Sequence, residues 1–270
     1  ITWFSNPAKG NTETIMQVAT DSDFKSKGDE SFKNYSGERK VFTYVSDSKA
    51  VRVNSVTAKN LKPGTNYTYR VGDGTTWSEA RHFKTLTDSD HLNFNVFGDT
   101  QVNTADQLGD FDKIIQHLET AKDKPDFAIH VGDFNDDQSI FNEADVTSQM
   151  FDKHPAYDSL DMIHVLGNHE YMGDDGSKAT MMLGTPAHNG AAVNRKGTFS
   201  VDYGNMHIAS LGWTDDVDEM KQELDWLRED MNASKKTWKV VATHQPPYNK
   251  NPADSRSTMF NKMLPPVCDE

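Results

Sequence analysis

Four short clusters in this 270-residue chain carry the residue types that bind hard metal ions: Gly98-Asp99-Thr100-Gln101, Gly132-Asp133-Phe134-Asn135-Asp136, Gly167-Asn168-His169-Glu170 and His244-Gln245-Pro246-Pro247. Carboxylate and amide oxygens together with imidazole nitrogens suit Fe, Mn, Zn or Mg, and one carboxylate can be shared by two ions roughly 3.5–4 Å apart. Asp133 is the candidate for that bridge. Two such ions clamp a phosphoryl group and lower the pKa of a bound water, so that hydroxide is available near neutral pH. A glycine stands before Asp99, Asp133 and Asn168, where a chain leaving a strand for a tight loop often needs a backbone without Cβ.

Each cluster follows a run that reads as a strand: Leu92–Phe97, Phe127–Val131, Met162–Leu166 and Lys239–Thr243. Further strands are expected at Thr198–Asp202 and His207–Leu211, and helices at Ala105–Lys122, Gln138–Asp152 and Asp218–Met231, with another near Ser257–Met263. Met220, Leu224, Leu227 and Met231 share one face of the third of these, which is the spacing of a core stripe. Strand and helix in alternation argue for an α/β domain. Ligands of such sheets bind outside the carboxyl ends of the strands, so the four clusters are expected to converge on one site.

Residues 1 to 88 have another rhythm. Short strands are expected at Ile1–Ser5, Thr14–Thr20, Lys40–Val45, Ala50–Ala58, Tyr67–Gly72 and Ala80–Thr85, with turns at Lys62-Pro63-Gly64 and Gly72-Asp73-Gly74 and no helix. This is the pattern of an all-β sandwich. Tyr67, just after the first turn, is placed to bond back to upstream backbone as a tyrosine corner. Leu61 to Val71, with Trp77-Ser78 and Phe83-Lys84-Thr85, resembles the end of a fibronectin type III module. Thr87-Asp88-Ser89-Asp90 is the natural linker, which divides the chain into 1–88 and 91–270.

Taken in order, Gly-Asp, Gly-Asp-x-x-Asp, Gly-Asn-His-Glu and Val241-Ala242-Thr243-His244 resemble the motifs of the calcineurin-like metallophosphoesterases, a set shared by purple acid phosphatases, which often carry a similar N-terminal sandwich. The resemblance implies a central β-sandwich flanked by helices and two metal ions, Fe, Mn or Zn. It implies Asp99 on the first ion, Asp133 bridging, and Asn168 with His244 on the second. His169 matches the histidine that hydrogen-bonds or protonates the phosphate or leaving oxygen, and Glu170 is expected to orient His169 from behind. The implied reaction is hydrolysis of a small phosphate ester by a metal-activated hydroxide, foremost as an acid phosphatase-like phosphomonoesterase.

The chain departs from the pattern in three places. Gln101 stands where the broad family has a histidine, so a water or the Gln101 amide takes that ligand's place. Asp136 stands where purple acid phosphatases have a tyrosine ligand, which argues against a purple tyrosinate–iron centre. The closing Gly-His-x-His motif is missing before Glu270, and the expectation is a truncated domain completed by a C-terminal fragment. His188, in the loop Thr185-Pro186-Ala187-His188-Asn189-Gly190, and Tyr248, just past His244, are candidates to reach substrate.

Net charge is −13, which excludes a broad basic footprint for nucleic acid and means that local cations must attract a phosphate. The single cysteine, Cys268, excludes an internal disulfide and a Cys-rich zinc site. No apolar run is long enough to cross a bilayer. The sandwich–phosphoesterase pairing implies a secreted or cell-surface protein. Two rival readings remain open at this stage: a non-catalytic surface binding module built on a degenerate phosphoesterase domain, and a nucleotidase or phosphodiesterase.

Overall fold

The computed structural model describes residues 1–10, 13–44, 49–87, 91–137, 147, 150–154, 156–186, 196–248 and 255–269. The first part runs β1 (Thr2–Ser5), β2 (Ile15–Thr20), α1 (Asp21–Lys27), β3 (Lys33–Ser36), β4 (Glu38–Tyr44), β5 (Lys49–Ser55), β6 (Asn66–Gly72) and β7 (Arg81–Lys84). These strands form two antiparallel sheets, β1-β5-β4 and β3-β2-β6-β7. Met16, Val18, Tyr67 and Tyr69 from the larger sheet pack with Val56 and Trp3 from the smaller one. The tyrosine corner forms: Tyr67 Oη accepts the Lys62 backbone N–H at 2.8 Å.

Two features of this region differ from expectation. A helix, α1, follows β2 directly, because Thr20 caps it by accepting the Asp23 N–H at 3.1 Å. Gly28 at φ 60° ends it, returning its N–H to Phe24. β3 is the second, a strand absent from the expected set. Val51 and Val53 of β5 turn away from the sandwich interior. With Phe4, Phe42 and Tyr44 they form the outer face of the smaller sheet, which packs on Met181 and Met182 of the second part.

That second part runs β8 (Phe94–Phe97), α2 (Ala105–Thr120), β9 (Phe127–His130), α3 (Ala156–Ser159), β10 (Asp161–His164), α4 (Ser177–Met182), β11 (Phe199–Tyr203), β12 (Met206–Leu211), α5 (Val217–Ala233), β13 (Trp238–Thr243) and α6 (Ser255–Cys268). One sheet is fully parallel, in the order β10-β9-β8; the other is mixed, with β12 antiparallel to β11 and parallel to β13. The sheets face each other through Phe127, Ile129, Ile163 and Val165 on one side and Phe199, Ile208 and Ala242 on the other. The outer faces are covered by helices. Phe111, Ile115 and Leu118 of α2 pack on the parallel sheet's side. Met220, Leu224 and Leu227 of α5, joined by Phe260 and Leu264 of α6, pack against Ala209 and Leu211 of β12. Of the helix expected at Gln138–Asp152, residues 147 and 150–153 are helical, and 138–146, 148 and 149 lie outside the described residues. No helix among the described residues is long and apolar enough to cross a membrane.

Candidate metal centre

β8, β9 and β10 run parallel, so the loops after them leave the sheet at the same end. The loop after β13, on the facing sheet, meets them there: His244 Nε2 lies 3.4 Å from Asp133 Oδ2 and 3.2 Å from Asn168 Oδ1. The first two loops are zipped together by backbone bonds. Asp99 donates to the Gly132 carbonyl at 3.0 Å, Gln101 to that of Asp133 at 2.9 Å and Val102 to that of Phe134 at 3.1 Å. The first loop then enters α2 through a capping box in which Thr104 and Gln107 satisfy each other's backbone N–H groups.

The loops are so close that side chains at the glycines would not fit. A Cβ on Gly167 would lie 2.2 Å from Asp133 Oδ1, and one on Gly132 would lie 2.7 Å from the Gly167 nitrogen. Gly132 has φ 96°, and Asp99, Gln101 and Asp133 have φ of 51°, 42° and 56°. Left-handed backbone is unfavourable for residues with a Cβ, aspartate tolerating it better than most.

One oxygen of Asp99, one of Asp133 and one nitrogen of His244 lie within 4.8 Å of one another. Asp133 is buried and Asp99 exposed, so the cluster opens from the interior towards solvent. The state of His244 follows from its partners. Nδ1 lies 2.9 Å from the Val131 carbonyl, which can only accept, so Nδ1 carries a proton. With Nδ1 as the donor to Val131, Nε2 is the ring nitrogen turned towards Asn168 Oδ1 and Asp133 Oδ2. In the neutral ring that nitrogen offers a lone pair beside two oxygen acceptors, a set that fits a cation, and a backbone carbonyl on the far ring nitrogen is what a metal-ligating histidine usually has. The donor set of the chain thus fits a hard or borderline divalent ion.

His169 sits on the other side of Asp133. Its backbone N–H donates to Asp133 Oδ1 at 3.1 Å, and its ring Nε2 is 3.6 Å from Asp133 Oδ2. Ring Nδ1 donates to the backbone carbonyl of Asp136. Burial alone would lower the pKa of this ring, but the Asp136 carbonyl and the carboxylates of Asp133, Asp136 and Glu170 raise it above the usual histidine value. The Gln101 amide nitrogen donates to Asp133 Oδ2 at 3.2 Å and lies 3.1 Å from His169 Nε2, to which it can donate while that nitrogen carries no proton.

Glu170 differs from its expected place. It does not hold the His169 ring, which the Asp136 carbonyl holds instead. Fully buried, it accepts the backbone N–H groups of Asp133 at 2.8 Å, Phe134 at 2.8 Å and Gly167 at 2.7 Å. Burial pushes this carboxyl up to about 7, against the three N–H donors that favour its ionised form. Asp136 is half exposed and accepts from Asn103 Nδ2 at 2.8 Å. Tyr248 is highly exposed. His188 lies outside the described residues.

Sequence reasoning passed over two supports beneath the site. His130, fully buried, takes the Gly132 N–H on Nδ1 at 3.3 Å, and its Nε2 lies 3.0 Å from Thr100 Oγ1, which in turn donates to the Phe134 carbonyl. Burial, with His164 and His244 nearby, holds its pKa well below the ordinary value, so it stays a neutral strut. The second is Asn103, which fixes Asp136. The available signal was position: His130 lies two residues before Gly132 on the strand that delivers Asp133, and Asn103 directly follows the Asp99 loop.

Comparison with known proteins identifies the family. Residues 92–264 match the calcineurin-like phosphoesterase family and residues 1–85 match the purple acid phosphatase N-terminal domain. Among curated relatives, acid phosphatase type 7 of Homo sapiens is 27% identical over 219 residues, covering 74% of this chain and 46% of its own length. The protein of that name in Danio rerio is 24% identical over 241 residues, covering 80% of this chain and 50% of its own. The chain thus spans about half the length of these relatives. A solved purple acid phosphatase, PPD1 from yellow lupin (Lupinus luteus) seeds, superposes with a TM-score of 0.66 at 19% identity over 89% of this chain and 47% of that one. With the family match extending over every strand of the two facing sheets, the chain belongs to the calcineurin-like phosphoesterases.

Proposed function

We propose that this chain carries the centre of a metal-dependent phosphate-ester hydrolase, acting foremost on phosphomonoesters, with Asp99, Asp133, Asn168 and His244 as ligands to a pair of cations. The observation that carries the reading is the convergence of His244 Nε2, Asn168 Oδ1 and Asp133 Oδ2, with the far ring nitrogen held by the Val131 carbonyl, an arrangement that suits a cation. The curated acid phosphatases and the phosphoesterase family support the ester as substrate. When bound, such ions polarise phosphoryl oxygens and lower the pKa of water.

The side chains divide the remaining work. Asp133 holds the centre of the cluster, its Oδ1 tied to the His169 N–H so that Oδ2 faces His244. Protonated His169 keeps Nδ1–H on the Asp136 carbonyl and can pass the Nε2 proton to a phosphoryl or leaving oxygen. Glu170 is a positioning residue that holds the Asp133 and Gly167 backbones in register. In this proposal the chain is divided at 88 to 91 into two domains. The first is assigned to the fibronectin type III class on its three-plus-four-stranded sheets and its tyrosine corner.

The test is phosphate release from a chromogenic phosphomonoester with added Mn(II) or Zn(II), with a diester compared in parallel. Asp133→Asn should lower monoester turnover by more than about 100-fold, since altering an outer partner of a metal site already costs about 10- to 100-fold. Wild-type turnover in that variant would overturn the ligand assignment, and preference for the diester would overturn the substrate class.

A further inference from the structure

The two sides of Asp133 Oδ2 are chemically unlike. On one side are His244 Nε2 at 3.4 Å and, next to it, Asn168 Oδ1, a nitrogen and an oxygen that can both serve as metal ligands. On the other is the Gln101 amide nitrogen at 3.2 Å, a donor that already satisfies the carboxylate. The same amide nitrogen lies 3.1 Å from His169 Nε2. Its backbone, at φ 42°, is held by the bond from Gln101 N to the Asp133 carbonyl.

We infer that the cation positions at this centre are unequal: one ion is held tightly among Asp133, Asn168 and His244, and the Gln101 donor on Asp133 Oδ2 keeps a second weak. The inference rests on the metal-dependent reading above and concerns how the site fills. Before a second ion can take the place of the Gln101 N–H on Asp133 Oδ2, that hydrogen bond is lost, and the amide must turn its oxygen inward or yield to water. Asp99, the remaining carboxylate of the cluster, is exposed, so a second ion would keep more of its hydration than the first.

The inference is tested by titrating the metal-stripped 270-residue chain with Mn(II), followed by calorimetry for affinity and by electron paramagnetic resonance for the spectrum of bound ion. The parent is expected to bind one equivalent tightly, with the uncoupled spectrum of an isolated ion, and a second about 10- to 100-fold more weakly. Gln101→Ala, which removes the donor, should narrow the gap. Gln101→Glu, which replaces the donor with a carboxylate of the same shape, should narrow it to within about tenfold and give the spectrum of a coupled pair. Thermal melts matching the parent show that either variant folds. Two equivalents of equal affinity in the parent, or an unchanged gap in Gln101→Ala, would overturn the inference and leave the metal-dependent reading standing. No tight equivalent in the parent would overturn both.

Discussion

In the β1–β7 region the non-glycine residue with positive φ among the described residues is Asn60, at 61°, in the turn before Lys62-Pro63-Gly64. The loops after β8 and β9 hold three more, Asp99, Gln101 and Asp133. At up to about 1–2 kcal/mol each, three such residues against one give these loops more backbone strain than the sandwich. The sandwich is held in the ordinary way, by ladders and apolar packing. The loops are held by polar bonds to buried backbone, above all by one carboxylate. A fold that must bring metal-ligand groups against one another accepts local strain and fixes it from behind.

The largest break in that contrast is expected from Glu170→Ala. It strips the acceptor from three N–H groups, each of which costs about 1–3 kcal/mol when buried and unpaired. A loss of about 3–5 kcal/mol in urea unfolding is expected, together with loss of metal binding, because Asp133 and Gly167 are no longer held in place. The sandwich's counterpart is Tyr67→Phe, which removes the bond to the Lys62 N–H and keeps the ring on Phe83 at 5.4 Å. Here about 1 kcal/mol is expected, with phosphate release unchanged. Equal losses in the two variants would show that the loops do not depend on their carboxylate as the contrast requires.

How much of this was legible in the sequence divides along the same line. Strand-end clusters could be read because apolar runs ending in Gly-Asp or Gly-Asn are local features, and the family order of motifs tied them together. The tyrosine corner was legible for the same reason, as its partners lie five residues apart. What could not be read was direction. Val51 and Val53 alternate as core residues should, but alternation does not say which of two apolar neighbours they face, and they face Met181 and Met182. β3 is mostly exposed, so it has no alternation to find. The signals for α1 were present in Thr20, Asp21, Asp23 and Gly28, and were outweighed by the strand rhythm around them. Glu170 was placed behind His169 because they adjoin in sequence; the 3-10 turn at His169–Tyr171 sends it to the backbone of the β9 loop instead.

The smallest effect concerns a charge cluster away from the loops, where no strain is involved. His207 of β12 lies between Asp202 of β11, at 2.7 Å from Nδ1, and Asp230 of α5, at 2.7 Å from Nε2. Burial lowers the pKa of this ring, but the two carboxylate partners outweigh it and raise the pKa above its ordinary value. A histidine with a folded pKa above its unfolded value of about 6.5 contributes stability that is fully present below that pH and fades as pH rises through the folded value. Melting temperature should therefore fall between mildly acidic and mildly alkaline pH. His207→Gln, uncharged throughout, should lose most relative to the parent at the acidic end and flatten the profile. A parent profile that rises over this range, or one that the variant leaves unchanged, would show that the tie between β11, β12 and α5 does not depend on the charge of His207.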